Sequence, residues 1–143
     1  MKKALSLITA LLLVMTFAGC SKKQVQAPNV KPIDRIAGTY TVISMDKLDG
    51  DTSMTESIQA SLADGSFREE FIIGTDESFV MKVINGSSEE IVGEYRIDPE
   101  TFDIYRKDRK DGDKPVDHVE IEGDTLTLKT SENVIVAQKD YKN

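Results

Sequence analysis

The chain has 143 residues, 25 acidic against 18 basic side chains, a formal charge of −7, one histidine, one cysteine and no tryptophan. That length suits one domain rather than two, and 30% charged with 39% hydrophobic residues fits a folded soluble domain rather than a disordered one. Residues 1–19 hold Lys2 and Lys3 and no acid, so without them the charge goes from −7 to −9; this makes nucleic acid or an anionic lipid headgroup layer a poor partner, because phosphates are repelled, and leaves a cationic protein allowed. One cysteine cannot form an internal disulfide, so the core alone must hold the fold, a task within reach of about 105 residues.

The N-terminus is a basic start, Met1-Lys2-Lys3, followed by an apolar run from Ala4 to Ala18 and a small-residue end. This is the layout of a signal peptide, assigned to residues 1–19. As a helix the run would span roughly 22 Å at 1.5 Å per residue, short of the ~30 Å hydrocarbon core, which argues against a permanent membrane span. Phe17-Ala18-Gly19-Cys20 resembles the lipobox of bacterial lipoproteins: an apolar residue, two small ones, then cysteine. Phe17 is a less usual opener than leucine. The resemblance implies cleavage after Gly19 and a diacylglyceryl thioether on Cys20, with further acylation such as palmitate. Two acyl chains hold a protein at a membrane where one does so only marginally.

Ser21 to Ala37 reads as a tether, with Pro28, Pro32, Lys22-Lys23, Gln24 and Gln26 and no periodic apolar pattern. Residues 20–37 are therefore expected to form the lipidated cysteine and a flexible linker, reaching roughly 22 Å from the membrane.

From Gly38 the dominant period is two, the strand signal. In the first strand Tyr40 and Val42 share one face, and Thr41, Ile43 and Met45 the other. Phe67, Phe71 and Ile73 alternate with Arg68, Glu70 and Ile72. Phe79, Met81 and Val83 alternate with Val80, Lys82 and Ile84, ahead of Asn85-Gly86, a type I′ hairpin signal. Ile91, Tyr95 and Ile97 alternate with Glu94 and Arg96, then Asp98-Pro99 turns the chain. Phe102 and Ile104 lead into a charged loop, Lys107 to Lys114. Val119 and Ile121 precede the turn Glu122-Gly123-Asp124. Leu126 and Leu128 alternate with Thr125, Thr127 and Lys129, and Val134 to Ala137 is apolar on both faces. Phe71, Phe79, Tyr95, Ile97, Leu126 and Leu128 are the expected core.

One segment breaks the pattern. Ser53-Met54-Thr55-Glu56 has capping-box spacing, Met54, Ile58 and Leu62 fall at i, i+4 and i+8 on one stripe, and Gly65 suits a C-cap. A helix of about 11 residues is expected between the first two strands, closing over a core opening. About eight antiparallel strands remove their edges by closing into an up-and-down barrel, whose interior is either filled or holds one small ligand.

Gly38-Thr39-Tyr40-Thr41-Val42, the Gly50 turn with its helix, the strand around Phe79, Gly93-Glu94-Tyr95, Glu122 to Leu128 and the closing strand ending near Lys139 are similar to the lipocalin-like lipoproteins of Gram-positive bacteria. The likeness spans roughly residues 38–141. The domain is assigned to 38–143. Such domains often carry a tryptophan in the first strand; here Tyr40 stands in that region. The resemblance implies a small barrel and little about its ligand.

Signals for chemistry are thin. His118 is the lone histidine, in Val116-Asp117-His118-Val119, with no nucleophile elbow in the chain. Cys20 is committed to lipid. Asp108, Asp111 and Asp113 cluster near Gly112, but Lys107 and Arg109 fall where an EF-hand loop needs acids. No glycine-rich loop precedes a helix to cradle phosphate. The sequence thus points to a mainly β, non-enzymatic lipoprotein without cofactor or metal, monomeric, anchored through Cys20 on the extracytoplasmic face. That face is the Gram-positive outer surface, or the outer membrane in a Gram-negative cell. Its expected role is binding or envelope-associated, with a small apolar ligand, gated by Met54, Ile58 and Leu62, or a cationic protein as the candidate partner. The alternative is a protein-interaction module, such as an inhibitor of a cationic secreted enzyme.

Overall fold

The computed structural model describes residues 30–48 and 52–141. The signal segment, Cys20 and most of the tether lie outside these residues. Eight strands form a closed antiparallel barrel in chain order: β1 (Gly38–Lys47), β2 (Phe67–Ile73), β3 (Ser78–Asn85), β4 (Ser88–Ile97), β5 (Asp103–Arg106), β6 (Asp117–Glu122), β7 (Thr125–Lys129) and β8 (Asn133–Lys139), with β8 returning to β1. The expected up-and-down barrel with a helix between its first two strands is the fold.

Residues directly opposite one another on antiparallel strands share a face, so the register fixes the interior. Tyr40 pairs with Phe71, and Phe71 with Met81. Ile73 pairs with Phe79, and Phe79 with Tyr95. Ile97 pairs with Ile104, Val119 with Leu128, and Leu128 with Ile135. Of the six expected core residues, Phe71, Phe79, Ile97, Leu126 and Leu128 are buried, and Tyr95 packs partly buried against them. Phe71 and Phe79 stack with ring centroids 5.7 Å apart.

Two bulges shift the strand phase from the sequence pattern. In β1 the register with β8 slips between Val42 and Ser44, leaving Ile43 54% exposed while Met45 comes opposite buried Ile135. Met45 therefore joins the interior and parts from Ile43. In β4 the register with β3 slips between Met81 and Lys82, so Gly93 faces Met81 and Ile91 faces outward-directed Lys82. Ile91, expected inside with Tyr95 and Ile97, is exposed beside Val92. An extra residue inverts every side chain beyond it, which a strict alternation cannot register. The β3–β4 loop is Gly86-Ser87, closed by the Asn85–Ser88 pair, and Gly86 takes a φ of 60°; the turn sits one residue later than Asn85-Gly86.

The folded body begins before the first strand. Pro32–Ile36 forms a short helix, α1, with proline in its first turn, a position that tolerates it. Its Ile33 and Ile36 are buried in the core cluster, so the last residues of the stretch read as a tether plug one end of the barrel. The second helix, α2 (Thr52–Asp64), has 13 residues and packs on β1 and β2. Ser53 lies inside its first turn. Leu62 packs against the core, Ile58 is half-buried, and the Met54 side chain lies outside the described residues. Gly65 ends the helix at a φ of 74°, and Asp64 Oδ1 accepts the Ser66 amide at 2.8 Å.

Candidate functional site

The barrel wall is uneven. β5 has four residues and pairs with β4 only at Tyr95, Arg96 and Ile97, and with β6 only through Asp103–His118 and Ile104–Asp117. Above those pairs the ladder stops, and a cavity of about 400 Å³ enters the interior. Its volume falls in the range of small-molecule sites. Buried Phe79, Ile104 and Leu128 and half-buried Met81, Tyr95, Asp117 and Thr130 line it, and Arg106 and Val116 stand at its exposed positions. An apolar floor under a few polar groups suits an apolar ligand oriented by its polar end.

The charged residues at this mouth point inward for a structural reason. Arg106 pairs with Tyr95, and Asp117 with Ile104, both interior positions. The sequence signal was available: alternation from Ile104 reaches Arg106, and alternation back from Val119 reaches Asp117. It is masked there by the highly charged loop that begins at Lys107. Asp117 Oδ1 accepts the His118 amide at 2.8 Å.

The expected gate residues sit elsewhere. α2 lies over β1 and β2, across the barrel from β5 and β6. Ile58 lines a shallow groove with Ser57, Ser61, Ser66, Phe67 and Asn85, and neither Ile58 nor Leu62 lines the 400 Å³ cavity.

A third inward charge went unmarked in the sequence pattern. Glu69 shares its phase with Phe71 and Ile73 and pairs with Val83. It is 6% exposed, and among the described residues nothing neutralises it. Burial pushes its carboxyl above the ordinary value. Glu70, on the outer face, is buried differently, under Arg68 at 2.7 Å and Lys82 at 2.9 Å.

His118 faces outward, opposite Asp103. Its Nδ1 lies 3.0 Å from Asp103 Oδ1, and Thr101 Oγ1 donates to Asp103 Oδ2 at 2.9 Å. These two hydrogen bonds, the histidine's first, hold the Asp103 carboxyl below its usual range. The ring is exposed and Thr101 bonds the carboxylate rather than the imidazole, so the trio has no nucleophile–base contact. In the charged loop, Asp113 Oδ2 accepts the Lys110 amide at 2.8 Å, and Arg109 lies 3.6 Å over the Tyr105 ring. Asp108, Asp111 and Asp113 are exposed, and no metal-binding group of carboxylates, histidine or cysteine occurs among the described residues. No helix among them is long and apolar enough to cross a membrane. No family model, curated protein or solved structure matches this chain.

Proposed function

We propose that this chain is a membrane-anchored extracytoplasmic lipoprotein whose barrel binds a small apolar ligand, a non-enzymatic role. The lipid on Cys20 holds it at the outer face of the membrane, and the barrel samples molecules at that surface. The observation that carries the binding role is the cavity floored by Phe79, Ile104 and Leu128 and open where β5 stops short. A filled barrel would have no use for so large an apolar space, because interiors normally close to crystal-like density. His118 points away from this space, which supports binding over catalysis.

Native mass spectrometry of the protein released from its own membrane tests the reading. A retained non-covalent adduct is the expected result. A bare protein mass, together with no saturable uptake of an apolar dye, would remove the ligand-binding role.

One observation favours the second reading, a protein-interaction module. Ser88 to Glu94 of β4 extends past β5 with a backbone edge that pairs with no strand among the described residues. It carries Glu89, Glu90 and Glu94 beside exposed Ile91 and Val92. Such an edge accepts an added strand, and Glu90, which has no cationic partner among the described residues while Glu89 and Glu94 pair with Lys82 and Lys107, suits a basic one. Chemical crosslinking from this edge to a cationic secreted protein, with the cavity empty, is the result that would favour it.

A further inference from the structure

Two opposite charges stand at the mouth of the apolar cavity without neutralising each other. Arg106 is two residues beyond Ile104 on β5, and Ile104 pairs with Asp117 on β6. Arg106 thus lies on the same interior face as Asp117, just past the last pair of the β5–β6 ladder. Among the described residues no ion pair joins Arg106 to Asp117 or to any other carboxylate. Other arginines of the wall are engaged: Arg68 with Glu70 and Asp140, Arg96 with Glu77, and Arg109 on Tyr105. One Asp117 oxygen accepts the His118 amide; the other has no protein donor among the described residues.

We propose that this mouth is a head-group subsite for a zwitterionic single-chain amphiphile, with its anionic group on Arg106, its cationic group on Asp117 and its tail on Phe79, Met81 and Leu128. The inference rests on the cavity being an apolar binding site and names the class of ligand it takes. Beside an apolar floor, a charge brought in without a partner is costly. A purely anionic amphiphile meets Asp117 and the net negative domain. A purely cationic one meets Arg106 at the entrance. An uncharged head leaves both side chains to solvent. A head carrying both signs satisfies both residues, through charge-assisted hydrogen bonds on the guanidinium side. At about 30 Å³ per water-sized group, the cavity of about 400 Å³ has room for roughly a dozen heavy atoms of tail.

The test uses the full-length chain in dodecyl maltoside micelles, whose heads are uncharged. Four photoreactive amphiphiles share one diazirine-bearing dodecyl tail and differ in head: phosphocholine, carboxylate, trimethylammonium and maltoside. Crosslinks are mapped by mass spectrometry to Met81, Leu128 and their neighbours. The phosphocholine probe is expected to label these residues about tenfold more efficiently than any other, the ratio of one good charge-assisted contact. Arg106→Gln and Asp117→Asn should each bring its labelling down to the level of the uncharged probe, while Arg106→Lys, which keeps the charge, should retain part of the preference. Equal labelling by all four heads overturns the subsite and leaves the apolar cavity reading standing. Strongest labelling by the carboxylate or the trimethylammonium probe overturns it as well. Absence of crosslinks in the cavity with every probe overturns both.

Discussion

The phenol of Tyr40 donates a 2.8 Å hydrogen bond to the carbonyl oxygen of Ile36, joining the first strand to the helix that plugs the barrel. Tyr40 is fully buried, and with Ile33 and Ile36 it ties a segment that precedes the strands into the core. Lys139 Nζ reinforces the same corner by donating to the Arg35 carbonyl at 3.3 Å.

Replacing Tyr40 with Phe strands that buried carbonyl and should cost about 1–3 kcal/mol, with earlier hydrogen exchange at residues 33–37. The pH dependence adds a signature. Burial chiefly, then the charges of Asp124 and Tyr141, push the Tyr40 phenol from 10.0 up to about 12. A raised folded value means the stabilisation is complete below pH 10 and lost as pH rises toward 12. Denaturation curves from pH 8 to 12 should converge for wild type and Tyr40→Phe at the alkaline end. A gap that stays constant across the range would contradict this role.

Glu69 supplies a titration of opposite practical consequence. Its carboxyl sits above the ordinary 4.5 because burial penalises the charge. The stability linked to it is present below the unfolded value and lost as pH climbs through the raised folded one. Glu69→Gln should therefore be more stable than wild type at pH 8, and the difference should shrink to little at pH 4. Urea midpoints at the two pH values measure it; a destabilised Gln variant at pH 8 would mean that the carboxylate has a function in holding the barrel.

Much of the barrel was legible because eight strands in chain order need only alternation and turns. Phe71, Phe79, Ile97, Leu126 and Leu128 fall inside as their period requires. What was hidden has physical causes. The bulges at Ile43 and Val92 reset the phase, and a bulge leaves no residue-type mark when its extra residue is itself apolar. Ile33 and Ile36 lie between prolines and charges, too short a stretch to show periodicity. The cavity comes from the shortness of β5, a length set by pairing geometry rather than by composition. Arg106, Asp117 and Glu69 were concealed by their own charge, since an inward acid or base reads as an outward one.

Phe79→Ala tests the shared wall of core and cavity. Phe79 is fully buried and stacks on Phe71. Truncating a buried phenylalanine costs about 3–5 kcal/mol out of a typical total of roughly 5–15, so the melting temperature should fall steeply. A change of only a degree or two would mean that the ring faces open space instead of packed neighbours.

Cys20→Ser addresses the anchor. The only thiol of the chain follows Gly19 at the end of the apolar run, and a thioether needs that sulfur. The serine variant should lose metabolic labelling by an alkyne fatty acid, and the protein should be released or persist as unprocessed precursor. Undiminished labelling would place the lipid on another residue.

Gly93 offers a test that separates the cavity from the fold. Gly93 and Tyr95 are two residues apart on β4, facing Met81 and Phe79 across the same ladder. The Tyr95 ring lies back over the glycine, so a β-carbon at position 93 would overlap its edge. Tyr95 also lines the cavity and is only partly buried, so its ring has room to swing away. Gly93→Ala should therefore displace the ring at the cavity wall and weaken uptake of an apolar probe, with a modest loss in melting temperature. The same alanine placed in a Tyr95→Leu background meets a smaller, more adaptable side chain. The two substitutions should then be non-additive, with a coupling of about 0.5–3 kcal/mol, as expected of side chains in direct contact. Strict additivity in stability and in probe uptake would show that the glycine is required for the β4 bulge alone and has no part in shaping the cavity.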